Sequence, residues 1–409
     1  MKFSLIFPQK KLQGRISLPA SKSISNRLLI IRELSAEKFI IENLSDSDDT
    51  RLLQKGLQST AEVVDIGHAG TAMRFITAFF AATAQKKIIT GSERMKNRPI
   101  GELVDALNSL GAQICYLEKD GYPPIRTSGK QISGNNIEIS GNTSSQFISA
   151  LLLVAPVLPN GLTINIKGIP VSMPYINMTL NLMQQAGINY TFNNSTIKIE
   201  QQSYRSQGIK VEPDMSAASY WYQIAILAND AQLMLEGVTK KSLQGDAIIS
   251  QLSRSFGVET EYTPEGAIIT KKKSSCAMLD FNFLDIPDVI QTMAVACCLS
   301  NTCFRFSGAQ TLRIKETDRI EALQKELFKL GYCIKETAPG VIQWNGERTK
   351  PQDNISISTY NDHRMAMAFA PAAIFFPELQ IENPNVVSKS YPNFWNDLEK
   401  IGVKIEKKN

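Results

Sequence analysis

The stretch ISGNTSSQFISALLLVAPVLPNGLTINIKG, residues 139–168, carries the plan of the whole chain. It opens as a strand, passes through small polar residues into an apolar helical pattern, and closes with an alternating strand, Thr163 to Lys167, that stops at Gly168. The apolar run from Phe147 to Leu158 contains Ser149 and Pro156. It falls well short of the roughly 20 residues that span a bilayer.

The same features recur along the chain. Strands ending in Gly or Asn before a polar loop read FIIEN, KIITG, TINIKG, LMLEG, FRFSG and LQIEN, with turn residues Asn43, Gly91, Gly168, Gly237, Gly308 and Asn383. Their steps are 48, 77, 69, 71 and 75 residues. Helical patterns closed by glycine end at Gly111, Gly187, Gly257, Gly331 and Gly402, at steps of 76, 70, 74 and 71. Glycine takes the left-handed cap without strain. Small-residue helix starts form a third series, Ser23, Thr71, Ser144, Ser216, Asp288 and His363, at steps of 48, 73, 72, 72 and 75. Three markers in phase predict six α/β units. The first is short by about 25 residues, having lost its second strand pair between Leu57 and Ile66. Six units of two helices and several strands divide into two domains of three, and 409 residues exceed one ordinary core on length alone.

With 43% hydrophobic and 20% charged residues and a net charge of +5, the composition is globular. It lacks the Lys/Arg patches of a nucleic-acid binder; Lys271 to Lys273 reads as a solvated turn. The apolar run Phe3 to Phe7, ended by Pro8, is too short for a secretory signal. Cys115, Cys276, Cys297, Cys298, Cys303 and Cys333 form no Cys-x-x-Cys pair and have no neighbouring His. Reduced thiols, no zinc and a cytoplasmic location are therefore expected. A soluble monomer with no nucleic-acid and no membrane partner is the expectation.

Charged and hydroxyl residues gather at two points of the repeat. At helix starts stand Ser21-Lys22-Ser23 with Arg27, Ala69-Gly70-Thr71 with Arg74, Asn142-Thr143-Ser144-Ser145-Gln146, and Asp362-His363-Arg364. Unpaired N–H groups and the positive end of the helix dipole make such starts anion sites. Plain N-capping by Ser, Thr or Asp uses the same residues. After the strand turns stand Arg94 and Arg98, Ser172 and Tyr175, then Arg313, Lys315, Glu316, Asp318 and Arg319, then Lys389. Arg98, Tyr175 and Lys315 lie seven residues past their turn residue and Lys389 six. Either these groups converge on a multiply anionic small ligand, or Lys315, Asp318 and Arg319 pair along one helix face.

Taken in order, SKSISNR, AGTAMRF, ERMKNRPIG, SSQF, IPD, KETDR, YNDHRMAMA and SKSYPNF, from residue 21 to residue 394, resemble the 5-enolpyruvylshikimate-3-phosphate synthase family. The resemblance implies a two-domain α/β fold of the enolpyruvyl transferase kind. Each domain would be an inside-out α/β barrel of three βαβαββ repeats, residues 20–213 forming one and residues 1–19 plus 214–409 the other, with the active site in the cleft between them. It implies transfer of the enolpyruvyl group of phosphoenolpyruvate to the 5-hydroxyl of shikimate 3-phosphate, with no metal and no cofactor. Phosphoenolpyruvate would be held by Lys22, Gly70, Arg98, Gln146, Arg319, Arg364 and Lys389. Shikimate 3-phosphate would be held by Ser23, Arg27, Ser144, Ser145, Ser172, Tyr175, Asp288 and Lys315.

Addition delivers a proton to the methylene carbon and removes one from the hydroxyl, and elimination reverses both, so two separate proton carriers are required. Asp288 suits the hydroxyl, and surrounding cations would keep it charged. Lys22 or Glu316 suits the carbon, and the residues leave that choice open. The chain departs from the family at His68, where Asn is usual, at Phe75, where many members have Pro, and at Thr311, where Asn is common. The sister enzymes that enolpyruvylate UDP-N-acetylglucosamine usually carry a Cys in the loop that here spans Ser92 to Asn97, which has none. A non-catalytic anion-binding relative is the remaining alternative. No Walker A motif and no strand-linked G-x-G-x-x-G occurs, and His68 and His363 have no metal-ligand spacing.

Overall fold

The computed structural model describes residues 1–7, 11–142, 144–168 and 170–408. Thr143 of the third helix start lies outside them. The chain divides into two compact units, an inserted one of residues 20–211 and a terminal one of residues 1–19 with 212–409. Among the described residues, three sheets belong to each unit.

The third repeat shows how the elements follow from the pattern. Strand Asn136–Ser140 leads through helix Ser145–Val154 to Leu162–Lys167, its parallel neighbour from Asn136↔Thr163 to Ser140↔Lys167. Helix Met173–Gln185 then leads to strands Thr191–Asn193 and Thr196–Ile199, a hairpin that pairs antiparallel with the other edge of Leu162–Lys167. The fifth repeat has the same layout: Met278–Asn282 pairs parallel with Cys303–Ser307, which pairs antiparallel with Val341–Trp344 of the following hairpin. This is the expected βαβαββ unit.

The first helix of each repeat is buried on nearly every side. In Ile290–Leu299 all ten residues are buried, and in Gly70–Ala82 only Thr71 and Ala82 are not. A helix apolar all round needs neighbours all round. In each unit these helices pack on one another, and the strands bury one face, as in the alternating pattern of Asp230–Glu236. Helices therefore fill the centre and sheets form the wall, the inside-out barrel that was expected.

Five sheets have four strands. The sixth has two, Ile40–Glu42 and Gly208–Lys210, and belongs to the shortened first repeat, which has no hairpin to contribute. The first and fourth repeats have also exchanged their opening strands. Lys11–Ile16 pairs parallel with Asp230–Glu236 in the terminal unit, and Gly208–Lys210 pairs parallel with Ile40–Glu42 in the inserted one. In the sixth repeat, Lys2–Ile6 lies between Leu379–Glu382 and Lys404–Lys408, antiparallel to both.

The five helix-stop glycines all have φ between +76° and +101°. Asn43, Gly168, Gly237, Gly308 and Asn383 also take positive φ. Gly91 is glycine for another reason, since a Cβ there would lie 2.4 Å from the Gly67 carbonyl oxygen.

Candidate active site

In the inserted unit the candidate residues stand at the starts of packed helices. Ser21 caps helix Lys22–Leu34, accepting from the Ile24 N–H, and Ser144 caps helix Ser145–Val154, accepting from the Gln146 N–H at 3.3 Å. Gln146 donates to Thr71 at 3.4 Å, which sets the first turn of the Ser145 helix beside that of helix Gly70–Ala82. Ser145 is the buried first residue of its helix. Gly70 leaves room for Arg98: a Cβ at Gly70 would lie 2.3 Å from Arg98 Nη1. Arg74, read with this helix start, turns inward to the carbonyls of Gly70 and Pro99.

Lys22 meets Asp49 at 3.2 Å, and His68 Nε2 lies 3.9 Å from the other oxygen of the same carboxylate. Asp49 is 2% exposed at the start of helix Asp48–Leu57 and ties Lys22 to the loop before Gly70. Sequence reasoning missed Asp49, whose only signal was an Asp pair opening a helix.

Arg27 is buried and faces neutral groups. It donates to Thr179 at 2.7 Å, to Ser149 at 3.1 Å, and to the carbonyls of Ser23 at 2.9 Å and Tyr175 at 3.3 Å. Its guanidinium lies 5.4 Å from the Phe75 ring centroid and 5.9 Å from that of Tyr175. Burial lowers its proton affinity to a pKa of about 10, with Tyr175 acting slightly in the other direction. Ser172, before helix Met173–Gln185, takes φ +57°. Non-glycine residues avoid that region and cluster there at functional positions.

The terminal unit holds a continuous ionic network. Asp288 lies in the turn Pro287–Val289 before the all-buried helix Ile290–Leu299. Its Oδ1 is 3.2 Å from Arg319 Nη1 and 3.6 Å from Lys315 Nζ, and its Oδ2 is 2.9 Å from Arg364 Nη2. Burial alone would raise this carboxyl, but Arg364, Lys315 and Arg319 outweigh it and hold Asp288 well below the usual carboxylate range.

Arg319, 1% exposed, donates Nε to Asp362 at 2.7 Å and Nη2 to Glu316 at 3.0 Å. Burial works against its charge, yet Asp362, Glu316 and Asp288 raise its proton affinity above the ordinary arginine value. The second oxygen of Glu316 meets Lys389 at 3.1 Å. Asp288, Lys315, Glu316, Arg319, Arg364 and Lys389 are thus brought together.

The helix-face alternative for KETDR gives way to a different arrangement. Asp318 caps helix Arg319–Lys329 and pairs with Arg313 at 2.6 Å, while Lys315 and Arg319 reach Asp288. Asp362 caps its helix, accepting from the Arg364 N–H at 2.9 Å, and also grips Arg319. Tyr360 and Asn361 just before it take φ +53° and +56°, strain that sets the turn.

The chain matches the family model described as EPSP synthase (3-phosphoshikimate 1-carboxyvinyltransferase) over residues 6–60 and 54–398. It is 49% identical over 407 residues to the 3-phosphoshikimate 1-carboxyvinyltransferase of Bacteroides fragilis, with 99% of each chain covered. It is 35% identical to that of Pseudoalteromonas translucida, covering 96% of this chain and 98% of that one. Among solved structures it resembles EPSP synthase from Acinetobacter baumannii, with TM-score 0.78 at 19% identity over 99% of this chain and 100% of that one. It also resembles the enolpyruvyl transferase NikO from Streptomyces tendae, with TM-score 0.72 at 15% identity over 99% and 98%. These two likenesses show the fold.

Proposed function

The chain belongs to the EPSP synthase (3-phosphoshikimate 1-carboxyvinyltransferase) family, and from that membership we infer that it transfers the enolpyruvyl group of phosphoenolpyruvate to the 5-hydroxyl of shikimate 3-phosphate. The observation that carries the reading is the Asp288 carboxylate gripped by Lys315, Arg319 and Arg364. It is a candidate base placed among cations that multiply anionic substrates need.

The hydroxyl oxygen bonds to C2 of phosphoenolpyruvate as its proton passes to Asp288 and a second proton reaches the methylene carbon from Lys22 or Glu316. The tetrahedral adduct then expels phosphate, and the carbon returns its proton as the double bond forms again. Asp288 is a weak base while three cations hold it. Substrate phosphate and carboxylate groups draw part of that field onto themselves, which raises the proton affinity of Asp288 at the stage when a base is needed. Glu316 is shared between Arg319 and Lys389. Lys22, Gly70, Arg98, Gln146, Arg319, Arg364 and Lys389 serve phosphoenolpyruvate. Ser23, Arg27, Ser144, Ser145, Ser172, Tyr175, Asp288 and Lys315 serve the acceptor. Arg27 commits four of its five N–H donors to the protein, so it acts through its charge and by fixing Ser23 and Tyr175.

The protein works as a cytoplasmic monomer that needs no cofactor and binds no nucleic acid. Six cysteines present as thiols support a reducing compartment. No helix among the described residues is long and apolar enough to cross a membrane.

The deciding assay is phosphate release by the purified protein, in chelator, with phosphoenolpyruvate and either shikimate 3-phosphate or UDP-N-acetylglucosamine. Release with shikimate 3-phosphate alone is expected. Release with the UDP-sugar alone, or with neither acceptor, would overturn the reading.

A further inference from the structure

Ser216 marks the fourth helix start, the position held by Ser23, Thr71, Ser144, Asp288 and His363 in the other repeats. The reaction as described leaves it without a role. It is the second residue of helix Met215–Leu227, and Asp214 already caps that helix by accepting from the Ala217 N–H at 2.9 Å. The Ser216 hydroxyl instead donates to Oδ2 of Asp246, and its own Oγ accepts from Arg364 Nη2 at 3.4 Å. Arg364 Nη2 is also the atom that meets Asp288 at 2.9 Å.

Asp246 is 4% exposed in the turn Gly245–Ile248, and its second oxygen meets no hydrogen-bond donor among the described residues. The loop is stitched to the helix it serves: Gln244 Oε1 accepts from the Met215 N–H at 3.0 Å, and Gln244 Nε2 donates to the Pro213 carbonyl at 2.8 Å.

A hydroxyl has one proton to donate. With that proton committed to Asp246, the lone pairs of Ser216 face the guanidinium and accept from it. Without the carboxylate, the hydroxyl proton is able to turn toward Arg364, where it repels. We propose that Asp246 is a positioning residue of the phosphoenolpyruvate site, acting through the Ser216 hydroxyl to orient the guanidinium of Arg364. This rests on the reading of Arg364 as a ligand of that substrate. Burial pushes the Asp246 carboxyl up to about 6, with Asp288 adding to the effect and Arg364 opposing it, so the acceptor form prevails at pH 8.

The test is phosphate release at pH 8 by the whole enzyme under saturating shikimate 3-phosphate, followed by titration of that acceptor. Ser216→Ala and Asp246→Ala are each expected to raise KM for phosphoenolpyruvate about five- to tenfold, while kcat and the acceptor KM stay within about twofold. The double variant is expected to be no worse than either single one, because both remove one relay. Asp246→Asn keeps a carbonyl acceptor and is expected to return KM to within about twofold of wild type. Additive losses in the double variant would overturn the proposal. So would an Asn variant as impaired as the Ala one, or an equal fall in kcat and in affinity for both substrates with a lowered Tm. If the wild-type protein releases no phosphate, the functional reading fails by itself. Calorimetric titration of the same variants with phosphoenolpyruvate alone then decides the relay, and an unchanged Kd across them overturns it.

Discussion

Two buried arginines, one in each unit, are held in opposite ways. Arg319 sits among the carboxylates of Asp362, Glu316 and Asp288, which raise its proton affinity. Arg27 sits among hydroxyls, carbonyls and two aromatic rings, and burial lowers its pKa to about 10. Arg319 is compensated by protein carboxylates, which fix its guanidinium in place. Arg27 has no carboxylate among its hydrogen-bond partners, so its charge remains available to an anion from solution. The candidate arginine of the terminal unit thus faces carboxylates, and that of the inserted unit faces neutral groups.

Removing each arginine gives the widest separation. Arg319→Met takes the guanidinium from three carboxylates, leaving buried Asp362 without its arginine, and is expected to cost about 3–5 kcal/mol in chemical denaturation at pH 7. Arg27→Met relieves a burial cost of about 3 kcal/mol but strands acceptors of similar worth. Its net effect is expected to be about 1 kcal/mol, with the larger loss in acceptor KM. Equal stability losses would end the distinction.

Asp246→Asn sharpens it from the acid side. The folded-state pKa is raised to about 6 from an ordinary 3.8. Below about pH 3 the group is protonated in both folded and unfolded chains and makes no difference. Between about pH 4 and 6 the unfolded chain ionises first, and stability is lost until the folded protein carries the buried charge above about 6. The Asn variant is expected to match wild type at about pH 3 and exceed it by about 2–3 kcal/mol at pH 8, read from denaturation midpoints at both pH values. A constant difference across pH would mean that the carboxyl does not titrate as described.

Gly70→Ala probes the inserted unit with little structural damage, because alanine favours the helix and only the end of the Arg98 side chain stands in its way. KM for phosphoenolpyruvate is expected to rise about tenfold or more, with Tm unchanged or slightly higher. A fall in Tm without a change in KM would remove Arg98 from the binding set. The smallest effect is expected at His68, half exposed and 3.9 Å from Asp49. His68→Asn is expected to change that KM by less than about threefold, and a change beyond tenfold would make His68 a ligand in its own right.

The fold was legible because its signals are local. Each helix-stop glycine is needed for a left-handed cap, and each buried helix has an apolar face on every side, whatever the rest of the chain does. The shortened first repeat could be seen as missing residues, and it appears as a two-stranded sheet where, among the described residues, the other sheets have four strands. The exchange of Lys11–Ile16 and Gly208–Lys210 could not be read, since both strands look alike to a periodicity argument. At the site, the charged residues of KETDR and NDHR stood out by type. Their partners did not, because pairing is set by tertiary distance: Arg319 and Asp362 are 43 residues apart and Ser216 and Asp246 are 30 apart. Asp49 and Asp246 each look like an ordinary surface acid until burial is known. The neutral surroundings of Arg27 come from Ser149 and Thr179, which carry no charge to draw attention.

The strand Lys2–Ile6 is flanked by Leu379–Glu382 and Lys404–Lys408, far later in the sequence. On the ribosome it must wait for them on the order of 20–80 s at ordinary elongation rates. The inserted unit needs no residue beyond 211, so it can close in the meantime. Until then both edges of Lys2–Ile6 lack their hydrogen-bonding neighbours, while every residue of the inserted unit has already been made.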